Sequence, residues 1–346
     1  LLIALGIFLA VNHHTQQTIL QGHTAGLQGS SLQTEHINTL ATSRYYKNPL
    51  VEVNLPDPTV IKAQGKYFAY TTQTYGKSKH LPMLVSNNLI AWRFLGDALP
   101  HKPVWALDSD KGNTWAPDAT RINDLYYLYF SETLKTKGMG IAVETSKSPE
   151  GPFHVVGPPL LRAHGYRDID PFVFQEKSGE LLLYWGSAKR PIKVQRLSSD
   201  GTSLLGKPQK VLYPSNDTTY DHLIEGADVI RHGAFYYLFY SGNRCCRERA
   251  HYAELVARSL SPVGPFKRDP KNPVIEKNQV FKAPGHGTVF KDAMGDSFIL
   301  YHAMQLSDPT FQRYLMLDRI QWQGGWPVVN GGNGPSSTRQ PRPSPT

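Results

Sequence analysis

Hydrophobic and polar positions alternate along this chain in a unit that recurs five times. A turn bearing a small or acidic residue leads into a short apolar step, a polar tip follows, and a second strand rich in Tyr and Phe returns. The copies begin at Asp57-Pro58-Thr59-Val60-Ile61, Asp118-Ala119-Thr120-Arg121-Ile122, Asp170-Pro171-Phe172-Val173-Phe174, Glu225-Gly226-Ala227-Asp228-Val229 and His286-Gly287-Thr288-Val289-Phe290. Their return strands are Tyr67–Tyr70, Tyr126–Phe130, Leu181–Trp185, Phe235–Tyr240 and Phe298–His302. Aligned on the apolar step, the anchors are Asp57, Asp118, Asp170, Gly226 and His286, spaced by 61, 52, 56 and 60 residues. A period of that length, with several strands per unit, predicts an all-β fold, a five-bladed β-propeller. No amphipathic helix of useful length competes with it.

Radial repetition has a chemical consequence. The first strand of each blade lines the axis, so anchors far apart in sequence become neighbours around one funnel. Asp57, Asp170 and Glu225 are therefore expected together, with Glu225 one residue ahead of its anchor slot and His286 on the same ring. An isolated Asp at a strand-opening turn usually makes an Asx turn with nearby backbone N–H groups. Three acids at matching phases point instead to carboxyl groups whose pKa values are driven apart by burial and mutual repulsion, as acid–base chemistry requires. Glycoside hydrolysis needs one carboxylic acid to protonate the departing oxygen and one carboxylate to activate water or attack carbon. Asp57 and Glu225 can fill these roles, with Asp170 raising the pKa of Glu225. Trp105, Trp115, Tyr166 and Trp185 can stack on sugar faces, although a Trp in a β-protein more often belongs to the core.

Composition fits one large domain. The chain has 346 residues, 40% of them hydrophobic, and its 18 Tyr, 29 Gly and 26 Pro suit strand packing and many turns. The boundaries are read as a signal-peptide remnant at 1–11, a flexible leader at 12–43, the propeller at 44–330 and a disordered tail at 331–346. The apolar run at the start is too short to span a bilayer, which needs about 20 residues. A secreted, extracellular monomer with no membrane span is expected. Cys245 and Cys246 are adjacent, so they either form a vicinal disulfide or stay free, and export favours the disulfide. Asn216-Asp217-Thr218 matches the glycosylation acceptor pattern. The formal charge of +9 is carried by scattered basic residues, densest at Arg244, Arg247 and Arg249, without a nucleic-acid module. It serves solubility or attraction to an anionic matrix such as pectin, and no nucleic-acid partner is expected.

Taken together, Asn48-Pro49-Leu50 to Ile61, Trp115-Ala116-Pro117-Asp118, Arg167-Asp168-Ile169-Asp170-Pro171, Ile224-Glu225-Gly226 and Pro284-Gly285-His286-Gly287 resemble glycoside hydrolase family 43 over about residues 45 to 335. The Cys245-Cys246 loop and the ending Asp318–Trp322 to Gly325–Val328 look most like the arabinan-acting members, arabinofuranosidases and arabinanases. The resemblance implies an inverting mechanism, with Asp57 as general base, Glu225 as general acid and Asp170 as pKa modulator. Inversion leaves room for water, so the two catalytic carboxyls are expected roughly 6.5–9.5 Å apart. It also implies a hydrated structural calcium or sodium ion at His286, with no catalytic cofactor. The expected substrate-binding set is Trp115, Asp118, Ile169, Trp185, Ser187 and Arg319, with His302 as a further funnel candidate. Ala227 departs from the usual Pro after the acid and Thr59 from the common Ser after the base. Neither departure removes a titratable group. The expected function is hydrolysis of α-L-arabinofuranosyl linkages in plant cell-wall polysaccharide. A β-xylosidase of the same family and a non-catalytic carbohydrate-binding propeller are the alternatives.

Overall fold

The computed structural model describes residues 43–72, 79–108, 113–163, 165–216 and 218–344. The signal-peptide expectation, nearly all of the leader, and Asp217 of the glycosylation triplet lie outside the described residues. Strand β1 (Tyr45–Tyr46) precedes five sheets. The first contains β2 (Thr59–Ala63), β3 (Lys66–Tyr70), β4 (Pro82–Ser86) and β5 (Arg93–Asp97). The second contains β6 (Thr114–Ile122), β7 (Leu125–Thr133) and β8 (Met139–Ser146), and both β9 (His154–Val155) and β10 (Leu161–Ala163) pair with β8. The third runs through β11 (Phe172–Gln175), β12 (Leu181–Trp185), β13 (Ile192–Leu197) and β14 (Leu204–Leu212). The fourth runs through β15 (Ile224–His232), β16 (Phe235–Arg244), β17 (His251–Ser259) and β18 (Lys267–Arg268). The fifth contains β19 (Phe281–Lys291), β20 (Ser297–Gln305), β21 (Tyr314–Gln323) and β22 (Trp326–Val329).

The innermost strands touch in the cyclic order β2, β6, β11, β15, β19 and back to β2, so the five sheets are blades of a closed propeller. Aromatic alternation on the return strands supplies the packing between blades. Tyr70, Tyr129 and Tyr184 are fully buried at equivalent positions, facing Thr59, Asp118 and Phe172 across their hairpins. Each hydroxyl reaches a carbonyl in the next blade, at Pro149, Gly201 and Pro262 respectively. The ring therefore buries the apolar body of each Tyr while satisfying its polar end, which an unpaired hydroxyl would make costly.

Closure falls to the chain ends. The segment after β1 runs beside β21, with Leu50 N–H donating to Leu315 O and Leu55 N–H to Arg313 O, before entering the first blade. Strand β23 (Gln340–Pro341) pairs with β1. This corrects the expectation of a disordered tail for residues 331–344. Ser336 is buried, its N–H donates to Asp318 Oδ2 at 3.1 Å, and Asn48 Nδ2 donates to its Oγ at 3.0 Å. Pro- and Ser-rich composition argues against a core, but specific buried partners can still fix such a segment. Cys245 and Cys246 are disulfide-bonded to each other. No described helix is long and apolar enough to cross a membrane.

Candidate active site

Hairpin pairing sets the phase of each blade. Thr59 faces Tyr70, Asp118 faces Tyr129, Phe172 faces Tyr184, Asp228 faces Phe239 and Thr288 faces Leu300. Two residues ahead of these stand Asp57, Ala116, Asp170, Gly226 and His286. Four of the five adopt left-handed backbone, with φ of 53° at Asp57, 59° at Asp170, 62° at Gly226 and 51° at His286. Such φ values are rare for residues other than glycine, with Asp and His among the more tolerant, and they turn the chain sharply into the inner strand. The repeat thus delivers Asp57, Asp170 and His286 to one ring by one local device. Three residues ahead stand Trp115, Ile169 and Glu225, so these side chains share the next position around the mouth.

The same phase corrects the sequence alignment for Asp118. Its blade carries Ala116 at the anchor position, which evens the spacings to 59, 54, 56 and 60 residues. Asp118 is buried, accepting from Thr59 Oγ1 at 3.3 Å and from Val173 N–H at 2.8 Å. Asp228 is its equivalent and accepts Val289 N–H at 2.8 Å. Both are ties from one inner strand to the next, rather than the substrate contact expected of Asp118. Burial drives the Asp118 carboxyl up to about 7 against its hydrogen bonds from Val173 and Thr59.

Asp57 sits at the centre of a basic cluster. Its Oδ1 accepts from Arg313 Nη1 at 2.9 Å and lies 3.2 Å from His302 Nδ1 and 3.5 Å from His286 Nδ1. Its Oδ2 accepts from Thr72 Oγ1 at 2.6 Å. Burial pushes this carboxyl up, but Arg313 first, then His286 and His302, outweigh it and hold Asp57 well below the ordinary range. Glu225 accepts from Ser187 Oγ at 2.6 Å through Oε2 and from Tyr252 Oη at 2.9 Å through Oε1. Burial raises it, the two hydroxyls lower it, the Asp57 charge raises it and Arg313 lowers it, with a net rise. Asp170 is raised well above the usual range, first by burial and then by Glu225 and Asp57, against the Gly226 N–H and Arg313. One ionised carboxylate thus stands near two acids that resist ionisation, a separation that burial and like-charge repulsion produce together.

Second strands hold these turns from the side. Asp170 N–H donates to Ser131 Oγ at 3.1 Å, His286 N–H to Ser241 Oγ at 2.7 Å, and Asp57 N–H to His302 Nδ1 at 3.2 Å. Ser131, Ser241 and His302 are hairpin equivalents, opposite Trp115, Glu225 and Gly285. In each case the previous blade grips the amide of the residue that the next blade presents. Gly285 permits this approach: a Cβ there would lie 2.5 Å from the Tyr252 ring and 2.8 Å from Ser241 Oγ.

The remaining expected residues divide. Ser187 touches Glu225, and Trp115 stands with Tyr166 at a ring separation of 6.0 Å, Tyr166 being 56% exposed. Ile169 and Trp185 are buried, and the Trp185 indole N–H donates to Asp168 at 3.2 Å. Arg319 is outside the site, 2.7 Å from Asp296 and half exposed. The arginine that reaches the centre is Arg313, just before β21, together with Tyr252 and Thr72. These three carry no motif of their own. Phase counting from the return strands to the starts of β17 and β21 is the sequence clue to Tyr252 and Arg313, and Thr72 follows the return strand β3 directly.

The ion expected at His286 meets a single imidazole. Among the described residues no group of three His, Cys, Asp or Glu side chains could hold a metal. Calcium takes six to eight oxygen ligands. One imidazole supplies none of these oxygens, so an ion beside His286 would take its oxygen ligands from water.

A sequence model described as "Glycosyl hydrolases family 43" matches residues 46–327. The chain is similar to an extracellular exo-α-(1→5)-L-arabinofuranosidase of Cellvibrio japonicus (strain Ueda107), 24% identical over 309 residues, covering 81% of this chain and 87% of that protein. It is also similar to a probable arabinan endo-1,5-α-L-arabinosidase A of Neosartorya fischeri, 26% identical over 303 residues, covering 80% of this chain and 91% of the relative. The crystal structure of a thermostable family-43 glycoside hydrolase superposes with a TM-score of 0.75 at 28% identity, covering 87% of this chain and all of that one.

Proposed function

The chain belongs to glycosyl hydrolases family 43, and on that premise we propose that it hydrolyses α-L-arabinofuranosyl linkages of plant cell-wall polysaccharide with inversion. Asp57 is the general base, Glu225 the general acid and Asp170 the residue that sustains the proton on Glu225. The observation that carries this reading is one buried acid cluster with two kinds of partner, Asp57 bonded to Arg313 and Glu225 bonded to Ser187 and Tyr252, with Asp170 repelled by both acids. The relatives named for arabinan linkages support the substrate. The relative named as extracellular, with the disulfide at Cys245–Cys246, supports export.

The roles follow from the contacts. Arg313 keeps Asp57 ionised, so Asp57 can accept a proton from the attacking water while Glu225 still holds one. Glu225 gives its proton to the glycosidic oxygen. The carboxylate it becomes is met by the Ser187 and Tyr252 hydroxyls, donors that bind the charged form more strongly than the neutral one. Asp170 and Glu225 repel each other when both are ionised, so the buried pair keeps at least one proton between them. Trp115 and Tyr166 offer an aromatic wall for a sugar face.

The test is incubation with debranched arabinan, branched arabinan and an aryl β-xyloside, with product separation and the anomer followed by NMR. Arabinose products of inverted configuration are expected. Monomer alone marks exo action and an oligomer ladder marks endo action. Retained configuration, or cleavage of the xyloside alone, would overturn the proposal.

A further inference from the structure

Strand direction places two basic hairpins beside the acid. Inner strands start at the site, so the hairpins between second and third strands return to the site end, whereas those between first and second strands lie at the other end. The β12–β13 hairpin carries Lys189 and Arg190, and the β16–β17 hairpin carries Arg244, Arg247 and Arg249, all exposed. Both flank Glu225 closely. Ser187, two residues before Lys189, bonds Glu225, and Ala188 O accepts Ile224 N–H at 3.2 Å. Arg244 pairs with His251, the neighbour of Tyr252 that donates to Glu225. None of the five cations forms an ion pair among the described residues, and Glu248 is the one acid on the two tips. Cys245 packs against the cluster of Tyr252, Ala283 and Met304 and so seats the tip that displays the arginines, and its bond to Cys246 closes a small ring within that tip.

We propose that these two tips bind carboxylate groups of an acidic, uronate-bearing polysaccharide beside the bond that is cut. This rests on the reading of the funnel as a polysaccharide-cleaving site. A neutral arabinan gives five unpaired cations nothing to pair with. A polyuronate, by contrast, carries carboxylates that unpaired cations at the rim attract where the chain enters, beside a funnel whose ionised acid, Asp57, is already paired with Arg313. Guanidinium groups suit the purpose because they grip carboxylates in a two-pronged geometry. The tips act as an anchor for the charged stretch while the neutral branch occupies the funnel.

The experiment measures binding apart from hydrolysis. Oligogalacturonate is titrated calorimetrically into the full chain at low and at raised salt, and into two triple variants. R244Q/R247Q/R249Q removes the arginine tip, and K66Q/K147Q/K177Q removes equal charge from exposed lysines at the other end of the strands. Expected are salt-sensitive binding by the wild type, a loss of about tenfold or more in the arginine variant, and little change in the lysine variant. Turnover of neutral debranched arabinan should be the same in all three. The proposal is overturned if the wild type does not bind, if both variants weaken equally, or if the wild type binds phosphatidylserine vesicles and not oligogalacturonate. If binding behaves as expected while arabinan is untouched, the anchor stands and the arabinan reading falls.

Discussion

Replacing Arg313 with Met removes the strongest charge partner of Asp57 while keeping an unbranched apolar stem. Nη1 lies 2.9 Å from Oδ1, and the two side chains are only 15% and 9% exposed, so solvent screens the pair little. At an effective dielectric near 20 the attraction is of the order of 5 kcal/mol. Breaking one side of such a pair strands the other charge, at a cost of about 3–5 kcal/mol rather than the fraction expected on the surface. Melting should fall by the order of 10 °C. The pH response has a definite sign. Asp57 is held below its unfolded value, so its stabilising contribution is complete above the ordinary carboxylate pKa, near 4, and is lost as pH falls through the folded value. Without Arg313 burial dominates and the Asp57 carboxyl rises, so the acidic limb of kcat/KM moves toward neutral pH. Arg313→Lys, which keeps the charge, should restore most of that limb. A raised KM with an unmoved acidic limb in Arg313→Met would refute the reasoning, because Arg313 would then contact substrate rather than tune Asp57.

Glu225→Gln should lower kcat on arabinan by about 10²–10⁴-fold, and much less on an aryl arabinofuranoside whose leaving group needs no proton; parallel kinetics on both substrates check it. Ser131→Ala leaves the buried Asp170 N–H without its acceptor and should cost about 1–3 kcal/mol in denaturant unfolding, with a shifted basic limb of the rate profile. Burial holds His302 down to about 4 from 6.5, against its hydrogen bond to Asp57. The unfolded chain therefore binds more protons between those values, and about 3 kcal/mol of stability present above pH 6.5 is lost as pH falls toward 4. His302→Gln, whose amide oxygen can take the Asp57 N–H without titrating, should flatten that part of the stability curve measured by urea unfolding.

Local pattern revealed much of the architecture. Period-2 alternation within strands and the recurring turn were enough for five blades, because each unit can bury its aromatic face only against a neighbour. Asp57, Asp170 and Glu225 were readable for the same reason, since equivalent turns project equivalent residues toward the axis. Phase was less secure. In the sequence Asp118 reads as the anchor of its blade, whereas the hairpin register puts it two residues past that position, tied to Val173. A one-strand reading cannot count that offset, because only cross-strand pairing defines it.

The sequence by itself determined the all-β class and the number of blades, which follow from periodicity, and it put Asp57, Asp170 and Glu225 at the starts of inner strands, which follows from the phase of the repeat. Tertiary structure alone decided which basic group faces Asp57. Arg313 and Arg319 lie six residues apart around β21, yet one meets the base and the other meets Asp296 at the surface. It also decided that Pro- and Ser-rich residues 331–344 lie ordered against β1 and Asp318. Both outcomes depend on contacts between distant segments, whose energies exist only after the ring has closed.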